Sequence, residues 1–302
     1  MKLFKGLVWL VVIGAVLLGI DFFLHPLYYL NGWTYFQEWK NGIASRDVTV
    51  AGIRMHYLAE GPAGGQPVVL VHGLGVRGEE WLALAPYLVR AGYRVYMPDL
   101  PGYGRSQRPA EFSYSIHDEA AMVAGFLDAL GLQRVDLGGW SMGGGIAQHV
   151  AFDHPGRVRK LILFDAVGIN EPPVFDTRLF TPQNGEQLGQ LEALLSPHPI
   201  KAPGFITRDV LKYFRLNGWV IQRAMASMLT RKDATDSLLP QLKMPMLIVW
   251  GAEDSILPVS QGETMHRLVP QSELDIVQGC GHLAPKECTA EIGPRVVAFE
   301  NE

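Results

Sequence analysis

From about residue 47, short apolar runs alternate with segments in which apolar residues recur every three or four positions. The runs predict strands, and the spaced segments predict helices. The stretch "VTVAGIRMHYLAEG" predicts a hairpin, and further strands are predicted in "PVVLV", "YRVYM", "RVDLGGW", "KLILF", "PMLIVW" and "ELDIV". Apolar strands that alternate with helices are typical of a mostly parallel sheet with helices on both faces.

The helical segments have recognisable limits. The segment "EEWLALAPYLVRAG" ends at a glycine, and "SIHDEAAMVAGFLDALG" opens with Ser115 as N-cap and Asp118 in its first turn. Further helices are predicted after residue 141, near 259–268 and from about 287. Residues 171–238 start with two prolines and contain helical spacing without strand patterns. They therefore predict a helical cap inserted into the sheet domain.

The N-terminal stretch contains one long apolar run in place of the short runs described above. Lys2 and Lys5 precede an uncharged run over residues 6–20, and aromatic residues are frequent in the next twenty positions. We expect residues 1–24 to form an uncleaved single-pass signal anchor and transmembrane helix, with a cleaved signal peptide as the alternative. Residues 25–46 are then an aromatic-rich juxtamembrane linker. The positive-inside bias places the rest of the chain outside the cytoplasm, on the periplasmic or extracytoplasmic face of the membrane.

These patterns divide the chain of 302 residues into five segments. The anchor and linker precede the first part of the core (47–170), the cap (171–238) and the second part of the core (239–302). The formal charge of −4 with no basic tract argues against a nucleic-acid partner, and the oligomeric state stays open. No CxxC or HExxH motif indicates a metal site. We expect Cys280 and Cys288 to be free thiols, with a bridge between them as the alternative.

The stretch "GGWSMGG" carries the first sign of chemistry. Gly139, Ser141 and Gly143 form the pattern G-x-S-x-G, which lies between a predicted strand and a predicted helix. This context is that of a nucleophile elbow, in which glycines on either side of the serine relieve steric clashes in a sharp turn. The sequence therefore predicts Ser141 as a catalytic nucleophile.

A serine nucleophile needs a base, and the base needs an acid that orients it. Asp254 follows the strand "PMLIVWG", and His282 follows the strand "ELDIVQ" between two glycines. Because the ends of parallel strands meet at one edge of a sheet, these residues are predicted to lie close to Ser141. Glu253 and Asp165 are the alternatives to Asp254 as the acid.

Acyl transfer also needs donors for a developing oxyanion. One candidate is the backbone N–H of Met142, directly after the serine. The other is the N–H of Leu74, in a glycine-containing loop after the strand "PVVLV". His72 begins that loop, and we interpret it as a structural histidine that binds loop backbone.

Taken together, "HGLG", "DLPGYGRS", "GWSMGG", "VWGAEDSILP" and "GCGHLAPKE" resemble the α/β-hydrolase superfamily over roughly residues 47–300. The resemblance implies an α/β fold with an eight-stranded, mostly parallel sheet. The short cap and the N-terminal anchor are similar to those of bacterial lipases and membrane-anchored monoacylglycerol lipases. A serine at the elbow does not suit the haloalkane dehalogenases and epoxide hydrolases, which use a carboxylate nucleophile.

The expected function is that of a serine ester hydrolase acting on small, lipid-like esters without a cofactor. Ser141, His282 and Asp254 are the expected triad, and Leu74 and Met142 the expected oxyanion donors. The same triad serves carbon–carbon bond hydrolases and acyltransferases, which remain alternatives. A non-catalytic ligand receptor on this fold is a further alternative, and it would be expected to lack a triad member.

Overall fold

The computed structural model describes the backbone of residues 2–302 and the side chains of residues 12–302. The strands are β1 Ala44–Val50, β2 Ile53–Glu60, β3 Pro67–Val71, β4 Arg94–Pro98, β5 Val135–Trp140, β6 Val158–Phe164, β7 Met246–Gly251 and β8 Glu273–Val277. The helices are α1 Lys2–Leu24, α2 Pro26–Lys40, α3 Ala85–Arg90, α4 Ile116–Ala129, α5 Met142–Asp153, α6 Gly185–Leu195, α7 Gly204–Leu229, α8 Val259–Leu268, α9 Ala284–Glu287 and α10 Thr289–Asn301.

Within residues 2–302 the strands form one eight-stranded sheet in the order β1-β2-β4-β3-β5-β6-β7-β8. The predicted hairpin is present as β1 and β2. Strands β3 to β8 are parallel to one another, as expected, but β2 runs antiparallel to both β1 and β4. The sheet is therefore mixed, because the tight turn after β1 reverses the chain before the first crossover helix begins.

Alternate side chains of each central strand enter two hydrophobic layers. On β3, Val69 and Val71 pack in the layer that contains α4 and α5, whereas Val68 and Leu70 pack in the layer with α3 and α10. All four are fully buried. Burying a side chain of this size contributes about 1.5–3 kcal/mol, so both faces of the strand favour its central position in the sheet.

An insertion separates β6 from β7. It contains a short 3₁₀ turn at Thr177–Phe180 and the helices α6 and α7, and over residues 171–238 it contains no strand. Leu188 and Leu191 of α6 and Val220 and Ile221 of α7 are buried. The insertion thus covers one edge of the sheet with apolar helix faces. The division of the chain into five segments stays a prediction.

The N-terminal helices do not confirm the predicted single-pass anchor. Among the residues searched, none of the helices is by itself long and apolar enough to cross a membrane. Val12–Leu24 and Pro26–Lys40 meet the length and composition criteria only together, and they are bent by 99° at their junction. Residues 1–11 of the predicted anchor lie outside the side chains that the structure describes.

Helix α2 is fixed to the sheet domain by polar contacts on one side. Arg105, in the loop after β4, donates to both carboxylate oxygens of Glu38 at 2.9 and 3.0 Å and to Glu79 at 2.9 Å. Its guanidinium also lies 4.4 Å from the centre of the Tyr35 ring. Glu38 is only 2% exposed. A buried carboxylate needs such a partner, so the ion pair with Arg105 helps to hold α2 against the sheet domain.

Cys280 and Cys288 form a disulfide, which corrects the expectation of free thiols. The intervening helix α9 turns the chain back, so that the two Cα atoms lie 6.3 Å apart. This separation is within the range that a disulfide spans. The bridge closes the loop that carries His282.

A buried acidic group ties the C-terminal helix to the sheet. Glu300 of α10 accepts a hydrogen bond from Arg159 at 3.0 Å, next to Asp136 on β5. Burial, followed by the charge of Asp136, raises the pKa of Glu300 to about 8 from its usual value of 4.5. The folded protein therefore holds a proton on Glu300 at neutral pH.

We expect Glu300 to make the protein less stable as the pH rises. In the unfolded chain this carboxyl ionises near 4.5, whereas in the folded protein it ionises only near pH 8. The stabilisation is therefore complete below about pH 4.5 and is lost as the pH rises through about 8. The neutral variant Glu300→Gln should reduce the fall in the free energy of unfolding between pH 5 and pH 8, measured by urea denaturation. The exposed neighbour Glu302→Gln is the control, and an unchanged pH slope in Glu300→Gln would contradict the assignment.

Candidate active site

Ser141 occupies the turn between β5 and α5. Its φ of 55° and ψ of −120° lie outside the regions that non-glycine residues normally adopt, at a conformational cost of about 1–3 kcal/mol. Its N–H donates to the carbonyl of Phe164 on the neighbouring strand at 2.9 Å, and its carbonyl accepts from Val167 N–H at 3.1 Å. The backbone of β6 and its loop thus holds the turn in place.

Two glycines make this turn possible. A Cβ on Gly139 would lie 2.2 Å from the carbonyl oxygen of Gly143, and a Cβ on Gly143 would lie 2.3 Å from the carbonyl oxygen of Val71. Real Cβ atoms do not approach backbone oxygens so closely. The G-x-S-x-G pattern is therefore a steric requirement of the turn.

The three side chains that the sequence singled out at the strand ends lie together. His282 Nε2 is 2.9 Å from Ser141 Oγ, and His282 Nδ1 is 2.7 Å from Asp254 Oδ2. The chain of contacts is consistent with a tautomer in which Nδ1–H donates to the aspartate and Nε2 accepts from the serine hydroxyl. All three residues are buried, so little water competes for these hydrogen bonds.

Further hydrogen bonds hold the base and the acid. The Trp140 indole N–H donates to the His282 carbonyl at 2.8 Å, and Asp254 Oδ1 accepts from the N–H groups of Ile256 and Leu257 at 2.7 and 2.9 Å. The contact of Trp140 was not predicted, since nothing in a sequence shows that the residue before the serine reaches the loop after β8. The N–H groups of Ile256 and Leu257 point at the Asp254 carboxylate because the chain turns directly after Asp254.

The loop after β3 lies directly against the serine. A Cβ on Gly73 would come within 3.2 Å of the Ser141 Cβ, and Leu74 lines the same cavity as Ser141 and Met142. His72 Nδ1 bonds the Gly73 carbonyl at 2.7 Å, and its Nε2 accepts from Leu100 N–H at 3.0 Å. Burial lowers the pKa of His72, which favours the neutral ring that this pattern requires. His72 thus fixes the loop by backbone contacts.

Two cavities meet at Ser141. The larger has about 870 Å³ of empty space, partly continuous with solvent, and reaches from Leu74 and Met142 to Met225 and Met228 on α7. The smaller has about 520 Å³ and also contains His282, Leu195 of α6 and Phe214 of α7. The walls of both are predominantly apolar. Among the described side chains, no cluster of three or more His, Cys, Asp or Glu residues is arranged to hold a metal ion.

Comparison with known proteins agrees with this geometry. The alpha/beta hydrolase fold family matches residues 66–190. A 2-hydroxy-6-oxo-2,4-heptadienoate hydrolase of Pseudomonas putida is 32% identical over 246 residues, which cover 72% of this chain and 83% of the relative. The chain belongs to the α/β-hydrolase superfamily. The resemblance stated from the motifs is therefore confirmed, and the protein is a hydrolase by fold and by relatives.

Lipases are also among the relatives within the α/β-hydrolase superfamily. Lipase 1 of Psychrobacter immobilis is 24% identical over 276 residues, covering 87% of this chain and 86% of the lipase. The crystal structure of a membrane phospholipase A, described as a bacterial virulence factor, superposes with a TM-score of 0.84 at 28% identity. That superposition covers 100% of this chain and 98% of the phospholipase. The chain is thus similar to a lipase, to a membrane phospholipase A and to a 2-hydroxy-6-oxo-2,4-heptadienoate hydrolase.

The close backbone contact at the turn predicts that Gly139→Ala disrupts it. The added methyl group would collide with the Gly143 carbonyl and shift Ser141 away from His282. We expect a lower melting temperature and a large loss of labelling by a fluorophosphonate probe, which reacts with activated serines. Gly156→Ala is the matched control, because a Cβ there meets nothing within 4 Å. Equal melting temperatures and equal labelling of the two variants would contradict this account of the turn.

Proposed function

We propose that the protein is a serine hydrolase that cleaves carboxylic esters of acyl lipids through an acyl-enzyme intermediate. The observation that carries the proposal is the unbroken line of hydrogen bonds from Ser141 to His282 to Asp254, which opens onto two apolar cavities. A serine hydroxyl becomes an effective nucleophile only when a base accepts its proton, and this arrangement supplies the base and its orienting acid.

In the proposed reaction, Ser141 Oγ attacks the ester carbonyl while His282 Nε2 accepts the hydroxyl proton. The negative charge of Asp254 stabilises the resulting imidazolium and keeps the ring in position. The backbone N–H groups of Leu74 and Met142 are the proposed donors to the oxyanion, since both residues border the cavity beside the serine.

Collapse of the tetrahedral intermediate completes acylation. The carbonyl re-forms, and the bond to the alcohol oxygen breaks as His282 returns the proton to that oxygen. A water molecule then enters, loses a proton to His282 and attacks the acyl-serine carbonyl. The same oxyanion donors serve this second step, and release of the carboxylic acid restores Ser141.

The helical insertion is the proposed cap, and its composition supports an acyl substrate. Phe180, Met225 and Met228 of the insertion line the larger cavity, which Ser141 also lines. Flexible methionine and flat aromatic side chains adapt to alkyl chains of different length. We propose that the larger cavity holds the acyl chain and the smaller cavity holds the leaving alcohol.

We also propose that the protein works at a membrane surface through α1 and α2. On α2, Tyr28, Trp33, Phe36 and Trp39 are between 46% and 75% exposed. By helical spacing they share one side, opposite the side where Glu38 meets the sheet domain. Exposed tyrosine and tryptophan on one side of a helix are typical of the membrane–water interface. Apolar residues of α1 between Val12 and Leu24 are exposed as well.

The disulfide supports a location outside the cytoplasm. Disulfides persist in oxidising compartments and are rare where thiols are kept reduced. The similarity to the membrane phospholipase A supports the same setting, because it extends over the whole chain and so includes both N-terminal helices. The proposed location is therefore the outer face of a membrane.

A carbon–carbon bond hydrolase is the second candidate. It is favoured by the 32% identity to the Pseudomonas putida 2-hydroxy-6-oxo-2,4-heptadienoate hydrolase. That name describes a carboxylate with conjugated double bonds, for which a cationic binding group is expected near the serine. Arg231 borders the larger cavity and is the residue to examine first under this alternative.

The ester proposal is tested by comparing the native protein with Ser141→Ala. The substrates are p-nitrophenyl esters from acetate to palmitate, monoacylglycerol and a diacyl phospholipid. We expect the native protein to prefer medium or long acyl chains, because the larger cavity is apolar. Loss of the nucleophile should lower kcat by at least about a thousandfold. Spectrophotometric release of p-nitrophenol and titration of free fatty acid measure these rates.

The outcome separates the two candidates. Fluorophosphonate labelling of Ser141 without cleavage of any ester would overturn the ester proposal and favour the carbon–carbon bond hydrolase, to be tested with a dienoic diketone-type substrate. Cleavage of p-nitrophenyl acetate alone would indicate an esterase for short acyl groups. It would contradict the acyl-binding role proposed for the cap.

The membrane proposal predicts a difference between substrates in vesicles and in solution. In the full chain, Trp33→Ser with Trp39→Ser should lower hydrolysis of ester lipids in anionic vesicles at least about fivefold, since each exposed indole contributes to interfacial binding. Hydrolysis of a soluble short-chain ester should not change. Val174→Ser with Ile200→Ser is the control, because those side chains are 68% and 86% exposed but lie on the insertion. An equal effect of both pairs would contradict the role of α2.

A further inference from the structure

Asp165 lies directly after β6, the strand next to the one that ends at the candidate nucleophile. Its φ of 42° places a non-glycine residue in the left-handed region, where only a few per cent of such residues are found. The following residues pack against the elbow: a Cβ on Gly144 would lie 2.3 Å from the Ala166 Cβ. The backbone of this segment is therefore held by the same turn that carries Ser141.

The hydrogen bonds of Asp165 are incomplete. Oδ1 accepts from the Gly251 N–H at 2.7 Å, at the end of the strand that precedes Asp254. Oδ2 is buried, and no donor among the described residues reaches it. The carboxyl group that interacts with Asp165 is that of Asp254, three residues after Gly251. An ionised Asp165 would thus lie next to a second carboxylate.

The contacts of Asp254 decide which aspartate carries the charge. Oδ1 of Asp254 accepts two backbone N–H bonds, from Ile256 and Leu257, and Oδ2 accepts from His282. Three donors to one carboxyl group favour its ionised form. Two adjacent buried carboxylates do not both ionise, so the proton belongs on Asp165. Burial and the charge of Asp254 accordingly raise the pKa of Asp165 well above its usual range.

We infer that Asp165 is a fourth member of the proposed catalytic group that contains Ser141, His282 and Asp254. Its protonated Oδ2 donates a hydrogen bond to the carboxylate of Asp254 and fixes that carboxylate against His282 Nδ1. Asp165 is a positioning residue, since it touches neither the substrate nor the serine. The inference rests on the proposed function, and it turns the triad into a line of four side chains from the loops after β6, β7 and β8 to the elbow.

This role has a consequence for the base. A donor to Asp254 spreads the negative charge of its carboxylate, which weakens the stabilisation of the His282 imidazolium. The titratable groups along this line are Asp165, Asp254 and His282. Among the described residues no lysine or arginine forms an ion pair with either aspartate. The proton on Asp165 therefore moderates the attraction between the Asp254 carboxylate and the imidazolium.

Two substitutions at Asp165 test the inference. Asp165→Asn keeps the shape and a donor, so the rate of fluorophosphonate labelling should stay within about twofold, with the acid limb of its pH profile unchanged. Asp165→Ala removes the donor, and labelling should slow by about tenfold or more, as is usual for partners behind a reacting group. Its acid limb should move to higher pH. Asp136→Asn, a buried aspartate at the opposite end of β5, is the control for burying an extra amide.

Two results would overturn the inference. A shift of the acid limb to lower pH in Asp165→Asn would mean that Asp165 carries a negative charge. Native labelling and a native pH profile in Asp165→Ala would mean that Asp165 only fills space. If Asp165→Ala does not fold, Asp165→Asn still gives the first result.

Infrared spectroscopy detects the protonated Asp165 carboxyl group directly, without an enzymatic reaction. At neutral pH the native protein minus Asp165→Asn should show the carbonyl band of one protonated carboxyl group. The bands of other buried acids, such as Glu119 and Glu300, cancel in this difference. Absence of the band overturns the inference. A protein that keeps the band but whose Ser141 does not react with the probe would overturn the proposed function and leave the Asp165–Asp254 hydrogen bond standing.

Discussion

The close approach of the turn at Ser141 to the strands on either side is the constraint on which the site depends. Without side chains at Gly139 and Gly143, the start of α5 lies against the carbonyl of Val71 at the end of β3. The same approach brings the loop with Leu74 beside the serine and the segment after Asp165 beneath it. The turn, both candidate oxyanion donors and the second aspartate are thus arranged by one backbone contact.

Much of this arrangement follows from where the strands end. Ser141, Asp254 and His282 each follow a strand that the apolar pattern identifies, and parallel order then brings them to one edge. The pattern cannot choose between Asp254 and Asp165, because both follow strands. That choice depends on the path of the loop, which aims the N–H groups of Ile256 and Leu257 at one carboxylate and leaves the other with a single donor.

Other features could not be predicted, because they join residues that are distant in the chain or depend on a separation in space. The disulfide needs the turn of α9, whereas the sequence pattern predicted a helix only from about residue 287. The reversal of β2 in the sheet is a matter of strand order, and the hairpin alone does not specify its neighbour. The linker expected after residue 24 contains the helix α2, and the 99° bend between α1 and α2 is not marked by composition.

The ion pair between Glu38 and Arg105 makes the position of α2 depend on the sheet domain. Arg105 lies in a loop of the sheet domain, 67 residues from Glu38, and Glu79 shares the same guanidinium. Loss of the Arg105 guanidinium would leave Glu38 buried without its cation, at a cost of about 3–5 kcal/mol. Loss of α2 would instead leave Arg105 paired with Glu79. The dependence is therefore one-sided, since the N-terminal helix needs the cation of the sheet domain more than that cation needs the helix.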